Sequence, residues 1–433
     1  MWGISSAGRA PDLHSGGQRF DPAILHHINN CMEHIRFQFP IFNKKLPSGN
    51  TLVYLDSANS CQKPQRVIDR MNKFLTEEYS SVGRSIHELS NNATTLVENS
   101  RQAVADFINA QDRDEIVFTK SATEAINMVS TAFGRTMQPG DEIITTEVEH
   151  HSNYIPWHLQ RKFNGAVIKF LKVNEQHQIN IDELESLITD RTKIVAITHV
   201  SNTTGQTIDV KRVCEIAHKH GIAVAVDGTQ GAPHIKVDVR DIDCDFYAMS
   251  GHKMYGPSGI GVMYAKRKWI DELDPALGGG GMITTVSHDD VAFAEGSKKW
   301  EAGTLAITEI VGLHEALNFY ADTGFDNMIE HEEQVIDYAY QKMSELPGMK
   351  FIGTDKRSAV ISFNLGNIHH QDLAVFLDAY GIATRPGHHC TQMLHRQIGW
   401  PGSCRISTGV YSTKQEIDYF IDSLKEIYNK FNL

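Results

Sequence analysis

The chain has 433 residues but only six cysteines, and none forms a C-x-x-C pair or a zinc-type spacing. Cys31, Cys61, Cys214, Cys244, Cys390 and Cys404 are too scattered for a disulfide framework. A reducing, cytoplasmic setting is therefore expected. No apolar run is long enough to span a bilayer, and the first residues hold no apolar signal-peptide core. Positive charge is in deficit. Lys and Arg number 41 against 53 Asp and Glu, a net charge of −12, which argues against a general binder of nucleic acid or anionic membranes. Internal repeats and low-complexity tracts are also missing.

What is present is an α/β pattern on a chain long enough for a large domain and a smaller one. Residues 1–21, rich in Gly, Ser, Pro and Arg, are expected to form a disordered tail. Residues 22–50 are expected to pack on the small domain, with a helical pattern from about 22 to 37. From there to residue 310, short apolar runs alternate with helical patterns. Strands are expected at Leu52–Leu55, Ile116–Phe118, Glu142–Ile144, Ala166–Phe170, Ile194–Thr198, Ala223–Val226, Phe246–Met249 and Gly259–Tyr264. Continuous apolar strands separated by helices indicate a mostly parallel sheet covered on both faces, with ligands beyond the carboxyl ends of its strands. The run Gly278–Gly281 reads as a flexible or closely approached loop. After two long helices, residues 311–433 switch to strand, helix, strand, helix and are expected to form a smaller α+β domain carrying a cysteine loop.

The stretch Ser250-Gly251-His252-Lys253 sits between two apolar runs. Most lysines are solvated surface groups. A lysine on a turn of small and hydroxyl residues between buried strands suits a Schiff base with a carbonyl cofactor. Other chemistry-bearing residues also fall at strand ends. They are Ser121-Ala122-Thr123, His150, Asn202, Asp227 with Gln230, and Ser250 with His252. Around pyridoxal phosphate each would have a role. The helix start at 121–123 offers amides to a phosphate. The Asp227 carboxylate would keep a pyridine nitrogen protonated, and the His150 imidazole would stack on the ring. Taken singly, Asp227 could be a helix N-cap, and Ser121 with Glu124 only a capping arrangement. Cys390 lies in Arg385-Pro386-Gly387-His388-His389-Cys390, where Gly and Pro indicate a loop. An exposed nucleophilic thiol fits there, with metal binding by Cys and His as the alternative. Arg405 is a candidate fork for a substrate carboxylate, or else half of a structural salt bridge.

The motifs Tyr54-Leu55-Asp56-Ser57-Ala58, Thr123-Glu124-Ala125-Ile126-Asn127, Glu149-His150-His151-Ser152-Asn153, Asp227-Gly228-Thr229-Gln230, Ser250-Gly251-His252-Lys253, Glu301-Ala302-Gly303-Thr304 and Arg385-Pro386-Gly387-His388-His389-Cys390 together resemble one family. The chain resembles a SufS-type cysteine desulfurase, a pyridoxal-phosphate enzyme of the class V aminotransferase group. That resemblance implies the aspartate aminotransferase-like fold, type I. It also implies conversion of L-cysteine to L-alanine with a persulfide on Cys390, and Lys253 as the Schiff-base lysine. By the same resemblance Asp227, Gln230, Asn202 and His150 hold the ring, and Ala122, Thr123, Ser250 and His252 hold the phosphate. Thr304 would reach the phosphate of a second subunit in a homodimer. Arg405 would bind the substrate carboxylate, with Arg84 and Arg385 lining the entrance. A SufE- or SufU-like sulfur acceptor is implied, with iron–sulfur cluster assembly as the destination. Selenocysteine lyase, or another β-cleaving enzyme of the fold, is the second reading, and a non-catalytic sulfur-relay scaffold the third. The chain departs from the family at Gly83, which stands where a histidine is usual, at Ala122 in place of a threonine, and at Asn59 in place of a small residue.

Overall fold

The computed structural model describes residue 32 and residues 34–83 and 85–431. The expectation for residues 1–21 and the entrance role of Arg84 lie outside the described residues.

Strand β1 is Val53–Tyr54. The strands β2 (Ile116–Thr119), β3 (Glu142–Thr146), β4 (Val167–Leu171), β5 (Thr192–Thr198), β6 (Ala223–Asp227), β7 (Phe246–Ser250) and β8 (Gly261–Ala265) form a seven-stranded sheet in the order β2-β8-β7-β6-β5-β3-β4. Pairing is parallel from β7 through to β4. β8 alone runs antiparallel to both its neighbours. The strands read as unbroken apolar runs because both faces are covered. In β5, β6 and β7, Val195, Ile197, Val224, Val226, Tyr247 and Met249 enter one core. The alternate residues Ile194, Ala196, Ala223, Ala225, Phe246 and Ala248 enter another, against Trp157, Trp300 and the helix Ala122–Gly134. Side chains of period two thus divide cleanly between two helical layers.

An exposed hairpin follows, β9 (Ile283–Val286) with β10 (Val291–Phe293). The glycine run before it is closely approached, as expected, with Gly303 N donating to Gly280 O at 2.8 Å. The helices Ile307–Thr323 and Phe325–Ser344 lead to a second sheet. It contains β11 (Met349–Ile352) and β12 (Val360–Leu365), then, after the short β13 (Ile382–Ala383), β14 (Arg385–Gly387) and β15 (Ser403–Ser407), in the order β11-β12-β15-β14. Arg385-Pro386-Gly387 is therefore a strand, where Gly and Pro had indicated a loop. It lies on the sheet edge, where a residue without an N–H is tolerated. β1 pairs in parallel with β13, and Val53 and Leu55 join the apolar cluster of the second sheet. The N-terminal segment was expected on the small domain, but Met32, Ile35 and Phe39 enter the first sheet's core together with Tyr411. Arg36 Nη1 donates to Tyr411 O at 2.7 Å, and Phe39 meets the Tyr411 ring at 4.9 Å.

One close approach sets where the helix Ala122–Gly134 begins. An added Cβ at Gly261 on β8 would stand 2.4 Å from the Ser121 carbonyl carbon and 2.8 Å from Ala122 N, both backbone atoms that cannot swing aside. Replacing Gly261 by alanine should therefore push the helix start off the sheet and lower stability by about 1–3 kcal/mol. Urea unfolding measures this, and an unchanged midpoint would show that the contact is slack.

Candidate active site

Most of the strand-end residues singled out in the sequence meet in one cavity of about 220 Å³, lined by both sheets. From the large sheet come Ala122, Thr123, His150, Asn202, Asp227, Gln230, Ser250, His252 and Lys253. Arg385, Cys390 and Arg405 come from the second sheet and its loop.

Lys253 ends a single 3-10 turn, Gly251–Lys253, directly after β7. It is 9% exposed, and its Nζ donates to Gln230 Oε1 at 3.4 Å. Burial, then the nearby Arg405, depresses its pKa to about 8. Asp227 closes the neighbouring β6 and is buried, accepting from Thr229 N at 3.0 Å. It does not cap a helix there. His150 caps the helix His151–Asn164, with Nδ1 accepting from Ser152 N at 3.1 Å. Burial, reinforced by Lys253, holds its pKa down at about 3, so the imidazole is neutral. Burial and the same lysine hold His252 at about 4. Ser121 caps the helix Ala122–Gly134, its Oγ accepting from Glu124 N at 3.2 Å. The first-turn amides of Ala122 and Thr123, which no helical carbonyl can reach, lie at the cavity. Thr123 Oγ1 and Ser152 Oγ are 2.7 Å apart there.

Arg405 on β15 is fully buried. It donates from Nη1 to Asn202 O at 3.0 Å and faces Asp56 Oδ1 from Nη2 at 3.4 Å. Its Nε is buried without a partner among the described residues. Burial lowers its pKa to about 10, and Asp56 counters that shift. Arg385 donates to Asn59 Oδ1 at 2.7 Å and lies 3.6 Å from Cys390 Sγ. Cys390 is the one half-buried thiol among the described free cysteines. Cys61, Cys214, Cys244 and Cys404 are buried. Burial raises the thiol pKa of Cys61 and Cys404 to about 12. His389 and Cys390 both have positive φ, 52° and 60°, a region that side chains other than glycine rarely adopt. The strained pair is held by its carbonyls. Asn202 Nδ2 donates to His389 O at 2.7 Å, and His151 N donates to Cys390 O at 2.8 Å.

The set fits pyridoxal phosphate. Helix-start amides, a buried amine, a buried carboxylate and a neutral imidazole converge on one space, and a guanidinium nitrogen there has no partner of its own. No cluster of three His, Cys, Asp or Glu suited to a metal exists among the described residues. Thr304 is elsewhere. It is exposed in a second cleft with Gly83, behind Glu301, which is clamped by Arg101 at 2.7 and 2.9 Å. The sequence reading missed two contributors. Asp56 had been given no role beyond its place in a motif just after the first strand, although its carboxylate faces Arg405. Ser152 had no signal beyond its place in a motif. A carboxylate at a strand end opposite a candidate arginine would have been enough to suggest Asp56.

The family model described as Aminotransferase class-V matches residues 53–420. The chain is 42% identical to a probable cysteine desulfurase of Halalkalibacterium halodurans, over 92% of this chain and 98% of that protein. It is 42% identical, with the same coverage, to a cysteine desulfurase of Pectobacterium atrosepticum. The crystal structure of the cysteine desulfurase CsdA from Escherichia coli superposes with a TM-score of 0.84 at 36% identity, covering 94% of this chain and 98% of that one. Cavity, fold and relatives agree: the chain belongs to the class-V aminotransferase family and, within it, to the pyridoxal-phosphate-dependent cysteine desulfurases.

Proposed function

We propose that the chain moves the sulfur of L-cysteine onto the Cys390 thiol and releases L-alanine. The observation that carries this reading is that Lys253, Arg405 and the half-buried Cys390 line the same cavity. Pyridoxal phosphate, when bound, withdraws electrons from the α-carbon of the attached amino acid. Lys253 holds the cofactor, with Asp227, Gln230, Asn202 and His150 around the ring. Ala122, Thr123, Ser250 and His252 face the phosphate. The guanidinium of Arg405 takes the substrate carboxylate, and Arg385 stands at the mouth, with Arg84 assigned there by resemblance.

A lysine depressed to about 8 is partly neutral near physiological pH, so its Nζ can accept the α-proton and later return it. The Cys390 thiolate attacks the substrate sulfur. A new S–S bond forms as the substrate C–S bond breaks, the bonding pair stays with carbon, and a proton completes the alanine methyl group. An acceptor thiol on a SufE- or SufU-like protein then removes the outer sulfur, in the service of processes such as iron–sulfur cluster assembly. The division into a cofactor-binding part, 51–310, and a part carrying the cysteine loop, 311–433, belongs to the same reading. So does a homodimer, since Thr304 and Gly83 share a cleft apart from Lys253 where a second copy's cavity could meet them. No helix among the described residues is long and apolar enough to cross a membrane. Four buried free thiols further support a reducing, cytoplasmic setting.

Two outcomes test the roles. Cys390→Ser should lower the rate of alanine formation from L-cysteine by at least about 100-fold while leaving cofactor absorption in place. Parental turnover in that variant would remove the carrier role. Only the neutral amine of Lys253 is a nucleophile. The rate at which cofactor-stripped protein takes up pyridoxal phosphate should therefore climb with pH through about 8 and then level off. Visible absorption follows the uptake. A rate still climbing into the ordinary lysine range would contradict the buried environment assigned to the amine.

A further inference from the structure

Two guanidinium groups sit opposite each other on the second sheet. Arg385 on β14 pairs directly with Arg405 on the antiparallel β15. Like charges at such a pair repel, so each needs something to hold it. One turn supplies both holds. It follows β1, and its Asp56 faces Arg405 Nη2 from Oδ1 at 3.4 Å. Three residues on, Asn59 Oδ1 accepts from Arg385 Nη1 at 2.7 Å. The turn is anchored to β15 and to the loop after it. Ala58 N donates to Ser407 Oγ at 2.8 Å, and Ser57 Oγ lies 2.8 Å from Tyr411 Oη.

The orientation of the Asn59 amide follows from its neighbours. A guanidinium can only donate, so the Asn59 carbonyl must face Arg385, whatever the titration state nearby. The amide nitrogen is left for Asp56, and it donates to Oδ2 at 3.2 Å. The other arm of Arg385, Nη2, lies 3.6 Å from Cys390 Sγ. Asn59 therefore fixes one side of the fork and leaves the other at the sulfur. The choice of side chain matters. The small residue that the family usually has here would leave the guanidinium without this tether. An aspartate would hold it but cancel its charge. Asparagine holds it as a neutral partner, and among the described residues no carboxylate forms an ion pair with Arg385. Its positive charge thus stays beside a half-buried thiol, where water screens it less than at the surface.

We infer that Asn59 is a positioning residue that holds the Arg385 guanidinium beside the Cys390 sulfur, so that anionic reagents are drawn to this thiol. Its place in the reaction rests on Cys390 being the sulfur carrier, since the fixed charge then faces the sulfur as the S–S bond forms. The other charged or titratable groups around Arg385 are Asp56, Arg405, Lys253, His150 and His389. Of these only Asp56 bonds to Asn59.

The test uses the holoenzyme and two alkylating probes, without L-cysteine. Iodoacetate is anionic and iodoacetamide neutral. Each forms a C–S bond on the same sulfur as iodide leaves. The ratio of their rates at Cys390, read by peptide mass spectrometry, cancels thiol ionisation and general access and reports local charge. Asn59 is exposed, so its replacement leaves the core untouched. Asn59→Ala should lower the iodoacetate-to-iodoacetamide ratio by about threefold or more, with cofactor absorption retained. In an Arg385→Gln background the same substitution should leave the ratio where Arg385→Gln alone sets it. A loop that had merely loosened would change both rates alike and leave the ratio in place. An unchanged ratio in Asn59→Ala, or an equal fall in both backgrounds, would overturn the inference. Because no L-cysteine is consumed, this inference and the sulfur-transfer reading can fail separately.

Discussion

Two hydrogen bonds across the cleft hold the chemistry together. The Asn202 side chain grips the carbonyl of His389, and the amide of His151 grips that of Cys390. One donor follows β5 and the other opens the helix His151–Asn164, and both acceptors sit on consecutive residues in left-handed backbone. Such a conformation costs of order 1–3 kcal/mol for each residue and persists only where the surroundings enforce it. Thr203 and Thr391 add a third link, 2.8 Å between hydroxyls. The thiol is thereby placed in the cavity that Lys253 lines by contacts between distant parts of the chain, with little contribution from local preference.

The electrostatics of the cavity follow from the same crowding. Lys253, Arg385 and Arg405 bring three cationic groups toward one space, against Asp227 and Asp56. Burial acts first on each shifted group, which keeps His150 and His252 neutral and loosens the proton on Lys253. An excess of positive charge facing a buried hollow suits an anionic guest. A phosphate and a carboxylate would both find partners there, the first at the helix start and the second at Arg405.

Much of this was legible because a sheet covered on both faces has a simple signature. The runs ending at Thr198, Asp227 and Ser250 are apolar throughout, and the polar residue that breaks each run marks a strand end at the cleft. Strand direction was not legible. Nothing in Gly-Val-Met-Tyr-Ala distinguishes the antiparallel β8 from its parallel neighbours. The edge strand at Arg385 was masked by Pro386 and Gly387, whose usual meaning is a turn. The pairing of Arg405 with Asp56 and of His234 with Glu332 depends on side chains far apart in sequence, which periodicity cannot report. Gly83 stood out as a missing imidazole, yet it lies in the second cleft rather than beside Lys253.

The central claim is that one thiol, and no other, receives the sulfur. Peptide mass spectrometry after a single turnover with L-cysteine, without reductant or acceptor, reads it directly. One added sulfur on the peptide bearing Cys390, matched by one alanine, is the predicted result. Alanine formed with no sulfur on Cys390, or with sulfur on Cys61 or Cys404, would contradict it.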